Sequence, residues 1–600
     1  MGVEGIGNNV SAYPSSKASA EGVKLETPPP PPPAPRATPP QYESGFDAAP
    51  AAGATALQPP SAPPPPPSPD PSLKDEVNAR RMGAPLAKPA ENRPASVDDT
   101  VKDVEKKLEQ GPFTTPADAV DAMNQLKKLP PEQQSEALDK LGKKGNVSTM
   151  IDALPEAKRG ELEPLMKNAK DPAIKARLWE ATQTAKATDR INSEISKLGT
   201  SPADLEKKAT LERTLTAEKA EIREEVQFLR AKPGGVDKAS LAKMMERKDL
   251  ELDIEVKHGV NLTNETGVRP GAGGTKIVWE KDELEAAERT FSQTPKAHLT
   301  QVHEYRREDV GAGGRNADHS PNNGTIRIFD NACKRGVDGQ LLHQKGQAAG
   351  DIGGTRELST PELVKKGGAQ ATFLEWTLQH ELGHHVHDFH APGVLDKYKE
   401  AMEVKVQSRD EALTTIGATE LAKVDAEAAA ASSASPPRAP TPVVVNGRGY
   451  VRDGDKVRSY AADMFPGGEP TSEYFSEHYN QAILQPESTA KEYLDVPQKA
   501  AAAARAERDA LRASGASPAD LAKADAKVAL AEREATTWKK SYDLMRNDVF
   551  HTDTAVDAAA ARLSAKGASP EQIDAFRKRC ERVSTPDQVA RLEAQGPLAW

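Results

Sequence analysis

Residues 373 to 390 read Phe-Leu-Glu-Trp-Thr-Leu-Gln-His-Glu-Leu-Gly-His-His-Val-His-Asp-Phe-His, and the middle of the run, His380-Glu381-Leu382-Gly383-His384, is an H-E-x-x-H motif. Five of the 12 histidines of the chain lie between positions 380 and 390. A helix stacks residues i and i+4, so the imidazoles of His380 and His384 can reach one zinc ion at about 2.0 to 2.1 Å each, while Glu381 faces the water beside it. Phe373, Leu374 and Trp376 lead into the motif with no proline before Pro392, which predicts a buried helix. Chance gives about 0.02 such motifs in a chain of this length and composition.

A zinc that does chemistry holds three protein ligands and one open position, so a third ligand must be found. The residues alone leave two candidates open. His390 lies ten residues after His380, the spacing of an H-E-x-x-H-x-x-G-x-x-H pattern, but His387 stands where that pattern has the glycine of a sharp turn out of the helix. Glu473 lies in Pro470-Thr471-Ser472-Glu473-Tyr474-Phe475-Ser476-Glu477-His478-Tyr479. There Pro, Thr and Ser signal a helix start, and Glu473 and Glu477 share one face at i, i+4. One of the pair can bind metal while the other orients a ligand histidine through its distal N–H.

Outward from the motif the pattern is mainly helical. Val101, Val104 and Leu108 share one face, and Val120, Met123, Leu126 and Leu129 share another. Thr115-Pro116-Ala117-Asp118 supplies a cap, a first-turn proline and a carboxylate. Ser201-Pro202-Ala203-Asp204 and Ser517-Pro518-Ala519-Asp520 repeat the device, and Ser569-Pro570-Glu571-Gln572 closes it with glutamine. Ile191, Ile195 and Leu198 before the second cap, with Leu211, Leu215, Ile222, Val226 and Leu229 after it, predict an antiparallel helical hairpin. A second hairpin is predicted near residues 497 to 546, with its turn at Ser514 to Ser517 and a core stripe of Trp538, Tyr542, Met545 and Val549. Residues 275 to 279 (Thr-Lys-Ile-Val-Trp) and 325 to 329 (Thr-Ile-Arg-Ile-Phe), the latter directly after Asn322-Asn323-Gly324, predict strands. Ala426 to Pro442, rich in Ala, Ser and Pro, reads as flexible.

The expected fold class is therefore α+β and predominantly helical. A disordered proline-rich leader covers residues 1–97 and a helical region with hairpins covers 98–265. A mixed domain over 266–554 holds the motif, an Ala/Ser/Pro-rich insertion at about 405–445 and the hairpin of about 497–546. A short helical tail covers 555–600.

Composition narrows the function classes. The leader holds 23 of the 49 prolines but only 11 Leu, Ile, Val and Phe residues, too few for a core. Its tracts Pro28 to Pro33 and Pro63 to Pro67 favour polyproline II, suited to a semi-stiff spacer or to docking on aromatic-lined grooves. A net charge of −10, spread without a basic face, argues against a nucleic-acid binder. Two cysteines, Cys333 and Cys580, exclude a disulfide scaffold and a Cys-ligated zinc module, and their separation favours two free thiols. No apolar run of 18 residues occurs, and no basic start leads into an apolar stretch, so neither a membrane span nor a standard signal peptide is expected.

His-Glu-Leu-Gly-His at 380 to 384, Ser459-Tyr460, and Glu-Tyr-Phe-Ser-Glu-His-Tyr at 473 to 479 together resemble the catalytic domain of anthrax lethal factor and its relatives among the gluzincin metalloproteases. Pro295, His298-Leu299 and the Asn-Gly-Thr-Ile strand add a looser likeness, and the span is roughly residues 275 to 490. The resemblance implies a zincin-type domain with one zinc ion per chain, held by His380, His384 and Glu473. It implies Glu381 as general base, Glu477 behind a ligand, and Tyr460 on the oxyanion of the tetrahedral intermediate. This chain departs from the family in its long insertion before Tyr460 and in an extra Met464 to Pro470 segment.

The expected function is a zinc-dependent metalloendopeptidase with a protein or peptide substrate, acting as a secreted toxin or effector exported without a signal peptide, or else in the cytoplasm. The leader and hairpins are candidate docking elements. Two readings compete: a metzincin-type protease using His390, and a catalytically silent helical interaction protein that retains zinc.

Overall fold

Helices begin where the sequence supplies caps. Thr115 accepts the Asp118 N–H at 3.2 Å to open Pro116–Lys128, and Ser201 and Ser517 open Pro202–Ala231 and Pro518–Leu544 in the same way. Ser569 and Gln572 exchange bonds at the start of Pro570–Cys580. The computed structural model describes residues 96–109, 111–265, 276–309, 315–336, 339–344, 358–359, 371–435, 438–465 and 469–596. The expected leader, up to residue 95, lies outside them.

Val101, Val104, Leu108, Met123, Leu126 and Leu129 are buried in one apolar cluster with Leu138, Ile151 and Trp179, and Val120 sits at its edge. Pro172–Lys197 and Pro202–Ala231 form the first expected hairpin, in which Ile191 meets Leu211. A third helix, Lys238–His258, lays Leu252 into the same seam. Charge is buried alongside it. The Lys248 ammonium, fully enclosed, donates to Glu218 at 2.6 Å, Glu221 at 2.9 Å and Glu251 at 2.8 Å, and Arg247 pairs with Glu225 and Glu251. The same layer grips the chain beyond the helix. Glu255 accepts the Leu262 N–H at 2.9 Å, and Glu221 accepts the backbone and side-chain N–H groups of Asn264 at 2.8 and 2.7 Å.

Those two residues belong to β1 (Leu262–Asn264), the first strand of a sheet with β2 (Glu304–Arg307), β3 (Ala317–His319) and β4 (Thr325–Ile328). The order is β1-β2-β4-β3, parallel except for β3, which pairs antiparallel with β4 at one edge. β4 is the strand expected at 325–329, with Thr325, Ile326 and Ile328 buried. Because β1 pairs Leu262 with Tyr305, the boundary read at residue 266 cuts through this sheet; pairing across so many residues leaves no local signature.

Of the strand expected at 275–279, the described residues 276–279 form no ladder. Thr275 lies outside the described residues, Lys276 makes an isolated bridge, and 277–279 run without a ladder. Trp279 is fastened to β1 by its N–H to Asn264 Oδ1 (2.8 Å) and its indole N–H to the Thr263 carbonyl (3.1 Å). Glu280 then caps Lys281–Gln293 at once, which leaves no length for a strand.

β5 (His343–Gln344) and β6 (Leu358–Ser359) make a two-stranded ribbon. In the expected insertion, β7 (Lys405–Ser408) and β8 (Val443–Val445) form an antiparallel sheet with β9 (Arg448–Asp453) and β10 (Lys456–Ala461), which lie beyond it, and the Arg409–Ser433 helix packs on the sheet through Ala412, Leu421 and Val424. Ala426–Ser433, expected as flexible, continues that helix: alanine is the best helix former, and Ala431 is buried. Asn446 and Gly447, both at positive φ, make the β8–β9 turn.

Val496–Ala513 and Pro518–Leu544 form the second expected hairpin, with Tyr542, Met545 and Val549 buried and Trp538 partly so. Thr552–Ala565, Pro570–Cys580 and Pro586–Gln595 close the chain around Val556, Phe576 and Val589, and Gln588 donates to the Ala482 carbonyl at 2.9 Å. Cys333 and Cys580 are both free and buried. No helix among the described residues is long and apolar enough to cross a membrane.

Candidate metal centre

The H-E-x-x-H run lies on the Phe373–His385 helix, opened by a box in which Thr372 and Glu375 exchange bonds. Phe373, Leu374, Trp376, Leu378 and Leu382 bury it on several sides, as befits a central helix. Gln379 fixes its rotation by donating to Thr294 Oγ1 at 2.7 Å. The second contributor is Ser472–Leu484, whose first-turn N–H, from Glu473, goes to Thr471 Oγ1 at 3.2 Å. Asn480 ties the two helices by donating to the Trp376 carbonyl at 3.0 Å. They approach closely at Gly383, where an added Cβ would stand 2.7 Å from Ser476 Cα.

This crossing brings His380, His384 and Glu473 together. His380 Nε2 lies 3.0 Å from one Glu473 oxygen, His384 Nε2 lies 3.4 Å from the other, and the two Nε2 atoms are 3.2 Å apart. Donors held 2.0 to 2.1 Å from a tetrahedral zinc are about 3.3 Å from one another, so the three side chains fit that ion. Both histidines present Nε2 inward and turn Nδ1 toward a supporting group. The Glu473 side chain is 55% exposed against 12% and 14% for the two histidines, so the cluster opens to solvent on the glutamate side.

Electrostatics agree with the geometry. Burial opposes charge on both His384 and Glu473, yet their contact outweighs it. Glu473 and Glu381, with Asp388, hold the His384 pKa above its ordinary value, and His380 and His384 hold the Glu473 carboxyl well below the usual carboxylate range. Glu381 is buried one position after the first histidine, close enough to favour the His384 cation. Glu477, two percent exposed, sets a carboxylate oxygen 3.6 Å from His380 Nδ1.

His390 is carried elsewhere. Past His385 the helix widens into a π-turn over Val386–His390, closed by the Ala391 N–H on the Val386 carbonyl, and the His390 ring packs 4.5 Å from that of His298. Tyr460 is buried on β10, opposite Gly449 of β9, with its phenol laid against that glycine where a Cβ would stand.

Three supporting residues escaped the sequence reading. His387 Nε2 is 3.2 Å from His384 Nδ1, His387 Nδ1 is 2.8 Å from Asp388 Oδ1, and His319 of β3 stands 3.5 Å from Asp388 Oδ2. For His387 a signal existed, since i, i+3 places it over His384; His319 had none, because only strand pairing brings it there. Set against family models, curated proteins and solved structures, the chain matches none.

Proposed function

We propose that the chain is a zinc-dependent metalloendopeptidase of the gluzincin, lethal factor-like kind, with His380, His384 and Glu473 as its metal ligands. The observation that carries this reading is the triangle of ligand atoms at 3.0, 3.2 and 3.4 Å, open on one side to solvent. A purely structural zinc site takes a fourth protein ligand and closes, whereas a hydrolytic one leaves room for water and substrate. Zinc held there supplies Lewis acidity toward a peptide carbonyl and lowers the pKa of water. Glu381 takes the proton of the attacking water and returns it to the leaving amine. Tyr460 donates its phenolic hydrogen to the developing oxyanion, and Glu477 holds the His380 ring in place from behind.

The test is metal analysis of the purified chain together with digestion of a peptide library by wild type and Glu381→Gln. The expected result is one zinc in both proteins and cleavage by the wild type alone. Equal cleavage by both would sink the mechanism, and stoichiometric zinc without any cleavage would favour a silent zinc-retaining protein.

A further inference from the structure

The two histidine ligands are supported in different ways. Behind His380 stands a carboxylate, Glu477, at 3.6 Å from Nδ1. Behind His384 stands another imidazole. A histidine that binds metal through Nε2 carries its proton on Nδ1, and that N–H needs an acceptor. His387 Nε2 lies 3.2 Å from it. To accept, His387 must be neutral with its own proton on Nδ1, and that atom faces Asp388 Oδ1 at 2.8 Å, the distance of a charge-assisted bond.

With His384 bound through Nε2, two hydrogens of the row each take one direction: His384 Nδ1–H to His387 Nε2, then His387 Nδ1–H to Asp388. Asp388 in turn places its second oxygen 3.5 Å from His319, whose strand position is set by the pairing of His319 with Ile326. The backbone makes the row possible. The chain stays helical through the π-turn, so His387 remains over His384 at i+3 instead of swinging out at a glycine.

We propose that His387 and Asp388, steadied by His319, are positioning residues that lock the tautomer and ring orientation of His384 toward the metal. The proposal rests on the zinc reading above. The histidine at 387, which stands where a metzincin pattern has glycine, then serves as a spacer that lets a carboxylate one position further on act on the ligand ring. The peptide link between His387 and Asp388 makes the pair a single unit, which His319 of β3 steadies from a second segment of chain.

The experiment uses the full chain and two readouts independent of turnover: zinc affinity by competition with a chromophoric chelator, and the visible spectrum of the cobalt(II)-loaded protein. His387→Leu removes the acceptor at similar size and is expected to weaken zinc about 10 to 100-fold and to shift the cobalt bands. His387→Gln restores an acceptor oxygen and is expected to recover most of the affinity. Asp388→Ala, at a partly exposed position that tolerates truncation, is expected to lose about 10-fold and keeps the test open if the leucine variant fails to fold.

Wild-type affinity and an unchanged cobalt spectrum in His387→Leu and Asp388→Ala would overturn the proposal while leaving the zinc reading standing. A wild-type chain that binds no zinc would overturn both.

Discussion

Replacing Gly383 by alanine sets two effects of opposite sign against each other. Gly383 lies inside a helix at ordinary helical angles, and intrinsic propensity alone favours alanine there by about 1 kcal/mol. The packing says otherwise. The new methyl carbon would stand 2.7 Å from Ser476 Cα and 3.0 Å from Ser476 Cβ and Oγ, where non-bonded carbons rest at about 3.5 to 4.0 Å. A backbone atom cannot rotate away, so Phe373–His385 and Ser472–Leu484 must part by about 1 Å, at an overpacking cost of roughly 1 to 3 kcal/mol.

The net stability change is a loss of up to about 2 kcal/mol, and the proposed metal site is the more sensitive to the shift. Glu473 and Glu477 flank Ser476 on the displaced helix, and an extra 1 Å opens the 3.0 Å gap from Glu473 to His380 to about 4 Å, beyond the tetrahedral edge of about 3.3 Å. Zinc affinity is expected to fall at least about 10-fold, since metal–ligand distances tolerate only about 0.2 Å. Chelator competition reads the affinity, and thermal melts with and without zinc read the stability. A raised melting temperature with wild-type affinity would show that propensity governs this site and that the helix contact does not position Glu473.

Metal analysis of Glu473→Ala and His390→Ala separates the ligand sets: the first is expected to lose zinc and the second to keep it, and the reverse would overturn the gluzincin reading. Lys248→Met leaves Glu218, Glu221 and Glu251 buried without their shared ammonium and is expected to cost about 3 to 5 kcal/mol in urea unfolding; an unchanged midpoint would mean the charges are relieved by other means. Burial first, then Glu221 and Glu218, push the Glu251 carboxyl up to about 8 against the pull of Lys248. The folded chain then keeps a proton that the unfolded chain, at its ordinary value of 4.5, has released. Stability is therefore expected to fall as pH rises from about 4.5 to about 8. Unfolding midpoints across that range are expected to slope less steeply in Glu251→Gln, and identical slopes would remove Glu251 as the source.

What the sequence disclosed was what is local. The spacing of His380 and His384 needs only one helical turn, and each Pro-containing cap needs only four residues, so both could be read directly. Glu473 stands 93 positions from His380, yet its helix start and the i, i+4 partner Glu477 mark it from within its own segment. The row behind His384 was half visible, in His387. The buried charges were hidden for a different reason. Glu218, Glu221 and Glu225 recur at helical spacing on the side that packs against Lys238–His258, but carboxylates at such positions look solvent-facing until a lysine on another helix is known to meet them. Strand β1, which no local pattern marks, and residues 276–279, which lack the expected ladder, share one cause: a ladder exists only when its partner is present, and Asn264 offers Trp279 a side-chain bond in place of one.

The grip of Glu221 and Glu255 on β1 bears on how this protein can be dissected. A shortened chain begun at residue 266 would lack β1, leaving the Tyr305 edge of β2 without its neighbour. One begun just before β1 would keep the strand but lose the carboxylates that hold Asn264 and Leu262. A cut between the helices at 231 and 238 would part Glu221 from Lys248. The smallest piece that retains the sheet with its charged backing intact therefore starts ahead of Ser201, more than sixty residues before the place where composition alone would have put the scissors.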